Sequence, residues 1–152
     1  MVEALQFVGY RIGKQNFAVE IHRLYEVLSY SPVTPMPGAP PFLEGMIDLR
    51  GELVPIIDLR KKLGEQDLCY EMQTRILVVR MFQQKLGFIV DSADQVYMVP
   101  LESILPPPES SQWILAVIKQ QNELLMVLDL EKLLTETEQI GMKSLQLPTM
   151  KS

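Results

Sequence analysis

Apolar residues recur along the chain in short, closely spaced segments: Leu5, Phe7 and Val8, then 17–21, 46–49, 53–57, 76–79, 86–90, 113–118 and 124–128. Gly, Asn, Gln or Pro bounds each of them. Several short strands with turn signals between them predict an all-β sandwich or barrel. Residues 11–16 and 82–85 read as hairpin connections. Helical segments are few. One is expected over 59–63, with Asp58 as N-cap and Gly64 as its stop. A second is expected over 130–138 behind Asp129, with Leu130, Leu133 and Leu134 on one face. The proline-rich stretch 31–41 must be an extended loop, and 101–112, with Pro106, Pro107 and Pro108, is its match. The tail, 139–152, alternates Leu145 and Leu147 before Pro148, a pattern that suits either a last docked strand or a disordered end.

The pattern occurs twice. Residues 45–64 overlie 116–135 without a gap, and Ile47, Glu52, Leu53, Asp58, Leu59, Lys61 and Leu63 meet identical residues there. Upstream, 10–27 overlies 79–96, with Phe17 on Leu86, Ile21 on Val90 and Val27 on Val96. The chain is therefore expected to hold two copies of one β unit followed by a short helix, roughly 5–64 and 76–135. A unit of that size buries little core by itself, so the two should pack together as a single domain over 1–152.

Within the first unit the tripeptide Asp-Leu-Arg stands at 48–50 and again at 58–60. A tight hairpin over 50–53, with Gly51 at the first turn position, would set Leu49 opposite Val54 and Ile47 opposite Ile56, facing the core. Asp48, Arg50, Leu53 and Pro55 then share the outer face, and Pro55 suggests an edge strand or a bulge. Asp58 instead ends the strand and caps a helix, as does its counterpart Asp129. Asp48 and Arg50 have no such counterpart, since the second unit carries Lys119 and Gln121. A feature present in one unit only is the better candidate for function.

Composition narrows the function classes. A net charge of -5 with scattered basic residues gives no clustered cations for nucleic acid, and Arg60-Lys61-Lys62 reads as a solvated helix face. One cysteine, Cys69, allows no intrachain disulfide and no cysteine-built metal site, which fits a reducing compartment. No signal peptide is visible, and the apolar runs fall far short of the ~20 residues a membrane helix needs. A cytoplasmic protein without membrane insertion, metal or cofactor is expected. The sole histidine, His22, sits near Ser29 and Ser31, but no Gly-x-Ser-x-Gly elbow exists. Carboxylate pairs such as Asp91 with Asp94 occur on any acidic surface. No catalytic apparatus is visible, which favours binding or scaffolding. The other readings are a small hydrolase using Asp48 and Asp58, which the hairpin geometry argues against, and a generic peptide-binding barrel.

The segment FLEGMIDLRGELVPIIDLRKKLG, 42–64, is similar to the signature of the CheW-like domain family, where a Gly-x-x-Asn-Leu-Arg-Gly hairpin leads into Pro-x-x-Asp-Leu-Arg. The resemblance continues in FAVEIHRLYEVL, VTPMPGAPPFLEG, LGFIVDSADQV and LLMVLDLEKLL, in order from about 5 to 134. It implies two SH3-like five-stranded β-barrels, interleaved in one domain around a shared core, and no catalysis. It implies an adaptor linking the cytoplasmic tips of chemoreceptors (methyl-accepting chemotaxis proteins) to the regulatory domain of a CheA-type histidine kinase, in flagellar chemotaxis or another pathway such as pilus motility. By position, Glu26 and Arg50 match the family's charged pair beside the receptor-binding groove, with Leu24 and Val27 as apolar neighbours and Asp48 in the same groove. The loop surface around Val33, Met36, Phe42 and Leu43 is the expected kinase contact. Two departures stand out. Asp48 replaces the usual Asn, making the groove more acidic, and Ala116 replaces a usual Gly.

Overall fold

The computed structural model describes residues 3–66, 68–135, 138–139 and 141; most of the expected C-terminal tail, with its Leu145–Leu147 alternation, lies outside them. In chain order the elements are β1 (Ala4–Ile12), β2 (Gln15–Glu20), β3 (Leu24–Ser29), β4 (Gly45–Leu49), β5 (Glu52–Asp58), α1 (Leu59–Lys62), β6 (Arg75–Met81), β7 (Gln84–Val90), β8 (Ser92–Pro100), β9 (Ile104–Leu105), β10 (Ile114–Gln120), β11 (Glu123–Leu128) and α2 (Leu130–Leu133). A single 3-10 turn, Leu101–Ser103, precedes β9.

The strands form two sheets, ordered β8-β1-β2-β11-β10-β9 and β3-β6-β7-β5-β4. Most neighbours are antiparallel, as short connections demand. Two are parallel: β2 runs beside β11, with Ala18 opposite Val127, and β7 runs beside β5, with Gly87 opposite Ile56. These two pairings are equivalent under the sequence repeat. Each unit thus lends its opening hairpin, β1–β2 or β6–β7, to the sheet closed by the other unit's last strand. Neither repeat unit is a sheet by itself.

Side-chain alternation explains why β1 and β6 read as nearly continuous apolar runs. Phe7 enters one core cluster and Val8 another, and Ile76 and Val78 face one cluster while Leu77 and Val79 face the next. The largest cluster lies between the sheets and joins Val8, Tyr10 and Phe17 to Val79, Leu86 and Phe88. Leu59, Leu130, Leu133 and Leu134 from the helix ends close it. The other two clusters each belong to one curled sheet, around Ile118 and Leu125 and around Val54 and Ile76. The architecture is all-β, two SH3-like barrels on a shared core.

The hairpin at Arg50 differs in register from the expectation. Leu49 pairs with Glu52 and Ile47 with Val54, so the turn residues are Arg50 and Gly51 and Gly51 takes the second turn position. Both have positive φ, 52° and 89°, as a two-residue hairpin matched to strand twist requires. A slip of two residues preserves the faces, so Leu49, Val54 and Ile56 remain core. Pro55 is not on an edge strand: β5 lies inside its sheet with β4 outermost. Its missing N–H is tolerated because pairing to β7 begins one residue later, at Ile56.

Both proline-rich loops carry pairing that proline content concealed. Thr34 bridges Met46 in the first, and β9 pairs Leu105 with Val117 in the second. Those contacts coincide when the repeat units are laid together. α1 ends as expected, the N–H groups of Leu63 and Gly64 donating back to Leu59 and Lys61 and Gly64 at φ 86°. α2 stops at Leu133 instead of running to 138. Thr135 and Glu138 then bond reciprocally, Glu138 N–H donating to Thr135 Oγ1 and Thr135 N–H to Glu138 Oε1.

Candidate docking surface

β3 is an edge strand, and a bulge interrupts its ladder with β6: Leu24 faces Val79 and Glu26 faces Val78, leaving Tyr25 without a partner residue. The extra residue turns the strand locally, and Glu26 meets the arginine at the tip of the β4–β5 hairpin. Arg50 Nη2 donates to Glu26 Oε1 at 2.5 Å and Nη1 to Oε2 at 3.3 Å, with side-chain exposures of 62% and 29%. The pair is a two-pronged bridge in open solvent. Arg50 holds the Glu26 carboxyl below its usual range, and Glu26 raises Arg50 in return. Leu24 and Val27 are half-buried against the inter-sheet core, so they line the edge of this surface while anchoring the strand.

Asp48 is exposed and accepts the Gly51 N–H at 2.7 Å, closing the turn that presents Arg50. It makes no ion pair among the described residues. Lys85 of β7 donates to Glu52 at 2.9 Å and lies 3.7 Å from the centroid of the Tyr25 ring; Arg80 of β6 stands 5.0 Å from the same ring. Lys85 first and Arg50 second pull the Tyr25 hydroxyl below its ordinary pKa. Tyr25, Arg80 and Lys85 were not among the residues singled out by sequence, because nothing local links three positions on three strands.

The four loop residues expected at the kinase contact do not share one environment. Met36 is exposed, Val33 and Phe42 are half-buried, and Leu43 is buried at 7%. Leu43 therefore pins the loop, and Met36 is the exposed side chain of the four.

The second Asp-Leu-Arg differs most from its sequence-based assignment. Asp58 does cap α1, accepting Arg60 N–H at 3.0 Å, and Asp129 caps α2 by accepting Lys132 N–H. Yet Arg60 is no part of a solvated helix face: it is 1% exposed. Its Nε and Nη2 donate to the two Asp58 oxygens at 3.0 and 2.9 Å, and its Nη1 donates to the Cys69 carbonyl and to Asp91. Burial alone would lower the Arg60 pKa, and Asp58 and Asp91 more than reverse that. Asp91 also accepts Gly13 N–H at 2.7 Å, tying α1 to the β1–β2 turn of the other sheet. The repeat held one signal of this: Arg60 falls on Glu131, so Asp129 has no arginine and is a simple cap. Both carboxylates of the hydrolase alternative, Asp48 and Asp58, are engaged by the fold, and His22 is exposed in a turn. Among the described residues no helix is long and apolar enough to cross a membrane.

A family model described as the CheW-like domain matches residues 6–138. The chemotaxis protein CheW of Klebsiella aerogenes is 30% identical over 138 residues, covering 88% of this chain and 83% of that protein. The probable chemotaxis protein CheW of Rhizobium etli is 32% identical, with coverages of 88% and 89%, and Protein FrzA of Myxococcus xanthus is 28% identical, with 88% of each chain covered. The crystal structure of the scaffolding protein TtCheW from Thermoanaerobacter tengcongensis superposes with a TM-score of 0.80 at 28% identity, covering 87% of this chain and 93% of that one. With the family model matched over residues 6–138 and a matching fold throughout, the chain belongs to the CheW-like family, non-catalytic scaffolds that couple receptors to a kinase in chemotaxis.

Proposed function

We propose that the chain docks the cytoplasmic tip of a chemoreceptor on the surface around Glu26 and Arg50, with Leu24, Val27 and Asp48 at its margin. The loop surface carrying Met36, with Val33 and Phe42 behind it, takes the regulatory domain of a CheA-type histidine kinase. The protein works in the cytoplasm, gathered to membrane receptor arrays by these contacts. The observation that carries this reading is the Arg50–Glu26 pair on a bulged edge strand: a charged, two-pronged group at the surface that nothing in the core requires. Half-buried Leu24 and Val27 beside it supply apolar anchors within a polar rim, the composition of a modest protein interface. Asp48 adds negative charge and suits a receptor with a complementary basic residue.

The test is a pull-down with a receptor cytoplasmic fragment and, separately, with a kinase regulatory domain, followed by chemical-shift mapping. Receptor fragment should shift the amides near Glu26 and Arg50, and kinase domain those near Met36. Binding to neither partner overturns the assignment; shifts confined to other surfaces overturn the sites.

A further inference from the structure

Arg80 and Lys85 sit directly opposite one another on the β6–β7 ladder. Like charges in that register repel and weaken a hairpin. Neither residue belongs to a core cluster, so packing does not require them. Lys85 is offset by Glu52 at 2.9 Å. Arg80 is exposed and has no carboxylate partner among the described residues. Both cations instead meet one aromatic ring, that of Tyr25, which the β3 bulge pushes outward to 39% exposure. A ring face attracts cations and eases their repulsion without neutralising either charge. The result is three cations, Arg50, Arg80 and Lys85, grouped around one tyrosine in a chain of net charge -5. Like charges placed opposite one another with no packing role are expected where binding was the selected property.

We propose that Tyr25, Arg80 and Lys85 are the acid-reading part of the docking surface and receive a Glu or Asp side chain of the receptor segment that Glu26 and Arg50 engage. This rests on that surface being the receptor-docking one. The incoming carboxylate completes Arg80 with charge-assisted hydrogen bonds, and the Tyr25 ring forms a flat wall beside it. Repulsion between Arg80 and Lys85 falls when the carboxylate arrives, so a strain carried by the free adaptor is released in the complex. The cluster thereby selects among receptors by the position of one acidic residue.

The experiment measures affinity of the full chain for a soluble chemoreceptor cytoplasmic fragment at low and high salt. Arg80→Gln should weaken binding about tenfold at low salt and flatten its salt dependence. Its thermal midpoint should hold or rise, because the like-charge pair is gone. Arg80→Glu should weaken binding further, and one acid-to-lysine change in the fragment should restore it. Wild-type affinity in both Arg80 variants, with binding lost in Arg50→Gly, overturns this inference and leaves the docking surface standing. Wild-type affinity in Arg50→Gly as well removes the docking surface with it. A lowered midpoint in Arg80→Gln, with unchanged affinity of the folded fraction, makes Arg80 structural and overturns the inference.

Discussion

Arg60 embraces the carboxylate of Asp58 two residues before it, with bonds of 3.0 and 2.9 Å to the two oxygens, and both side chains are out of solvent. Capping alone would make Asp58 worth about 1 kcal/mol. Removing Asp58 leaves the buried Arg60 with only the partly exposed Asp91, at 3.2 Å, as counter-charge, and losing one partner of a buried pair costs about 3–5 kcal/mol. Asp58→Ala should fall in the larger range by urea denaturation. Asp58→Ala combined with Arg60→Met should cost less than the single change, since the buried cation that Asp91 alone would have to balance is gone as well. Asp129→Ala, lacking an arginine partner, should lose only the cap, about 1 kcal/mol.

Arg50 has positive φ, 52°, at a hairpin turn where glycine is at ease. Arg50→Gly should therefore leave the thermal midpoint equal or higher while weakening receptor-fragment binding. The same variant frees Glu26. With Arg50 present, the Glu26 pKa lies below its ordinary value of 4.5, so the stabilising contribution of the pair is present above that value and fades as pH falls through the lower folded one. Carboxyl-carbon NMR should find the Glu26 midpoint below 4.5 in the wild type and moved upward in Arg50→Gly. An unmoved midpoint would mean that the pair does not persist in solution.

Asp48 accepts the Gly51 N–H through one oxygen, and an asparagine carbonyl can do the same. Asp48→Asn should keep the hairpin and its stability, read by thermal melts, and change only the charge of the docking surface. Asp48→Ala should lose on the order of 1 kcal/mol with the turn hydrogen bond. A difference in receptor preference between wild type and Asp48→Asn isolates the electrostatic share of recognition.

Gly45 has φ 152°, and a Cβ there would press on the Thr34 backbone carbonyl that bridges to Met46. Gly45→Ala should destabilise by about 2 kcal/mol through overpacking and backbone strain, measured by urea denaturation. The equivalent position in the second unit is already Ala116, next to a bulge in the β10–β11 ladder. A Gly at 116 should bring no comparable gain.

The sequence disclosed most where its information is local or periodic. Alternation marked the strands, Asp58 and Asp129 marked helix starts, and the internal repeat marked two equivalent units. What stayed hidden was long-range. Arg60 reads as one of three adjacent cations, and only the fold brings Asp91 and the Cys69 carbonyl to it. The Tyr25 cluster depends on a bulge and on three strands, none signalled by spacing. Register was missed by two residues because turn position, not strand pattern, sets it, and period-two alternation is blind to an even slip. Thr34 and β9 were hidden by the prolines around them, since a single bridge or a two-residue strand leaves no periodic trace.

The exchange of hairpins between the repeat units bears on how the protein comes off the ribosome. The first-made hairpin gains a neighbour on its β1 side when β8 emerges, but its β2 side is closed only when Phe17 meets Met126, so most of the chain has to emerge first. The other barrel closes earlier, once β7 has appeared to meet β5. Folding should thus proceed with one barrel complete and the other open along β2, its apolar faces partly exposed, until β11 arrives. Such distant pairing predicts a slow final phase and a window in which nascent chains are prone to aggregate. It also makes the two halves natural candidates for fragment complementation: expressed apart, neither can finish its own sheet, and each carries the hairpin the other lacks.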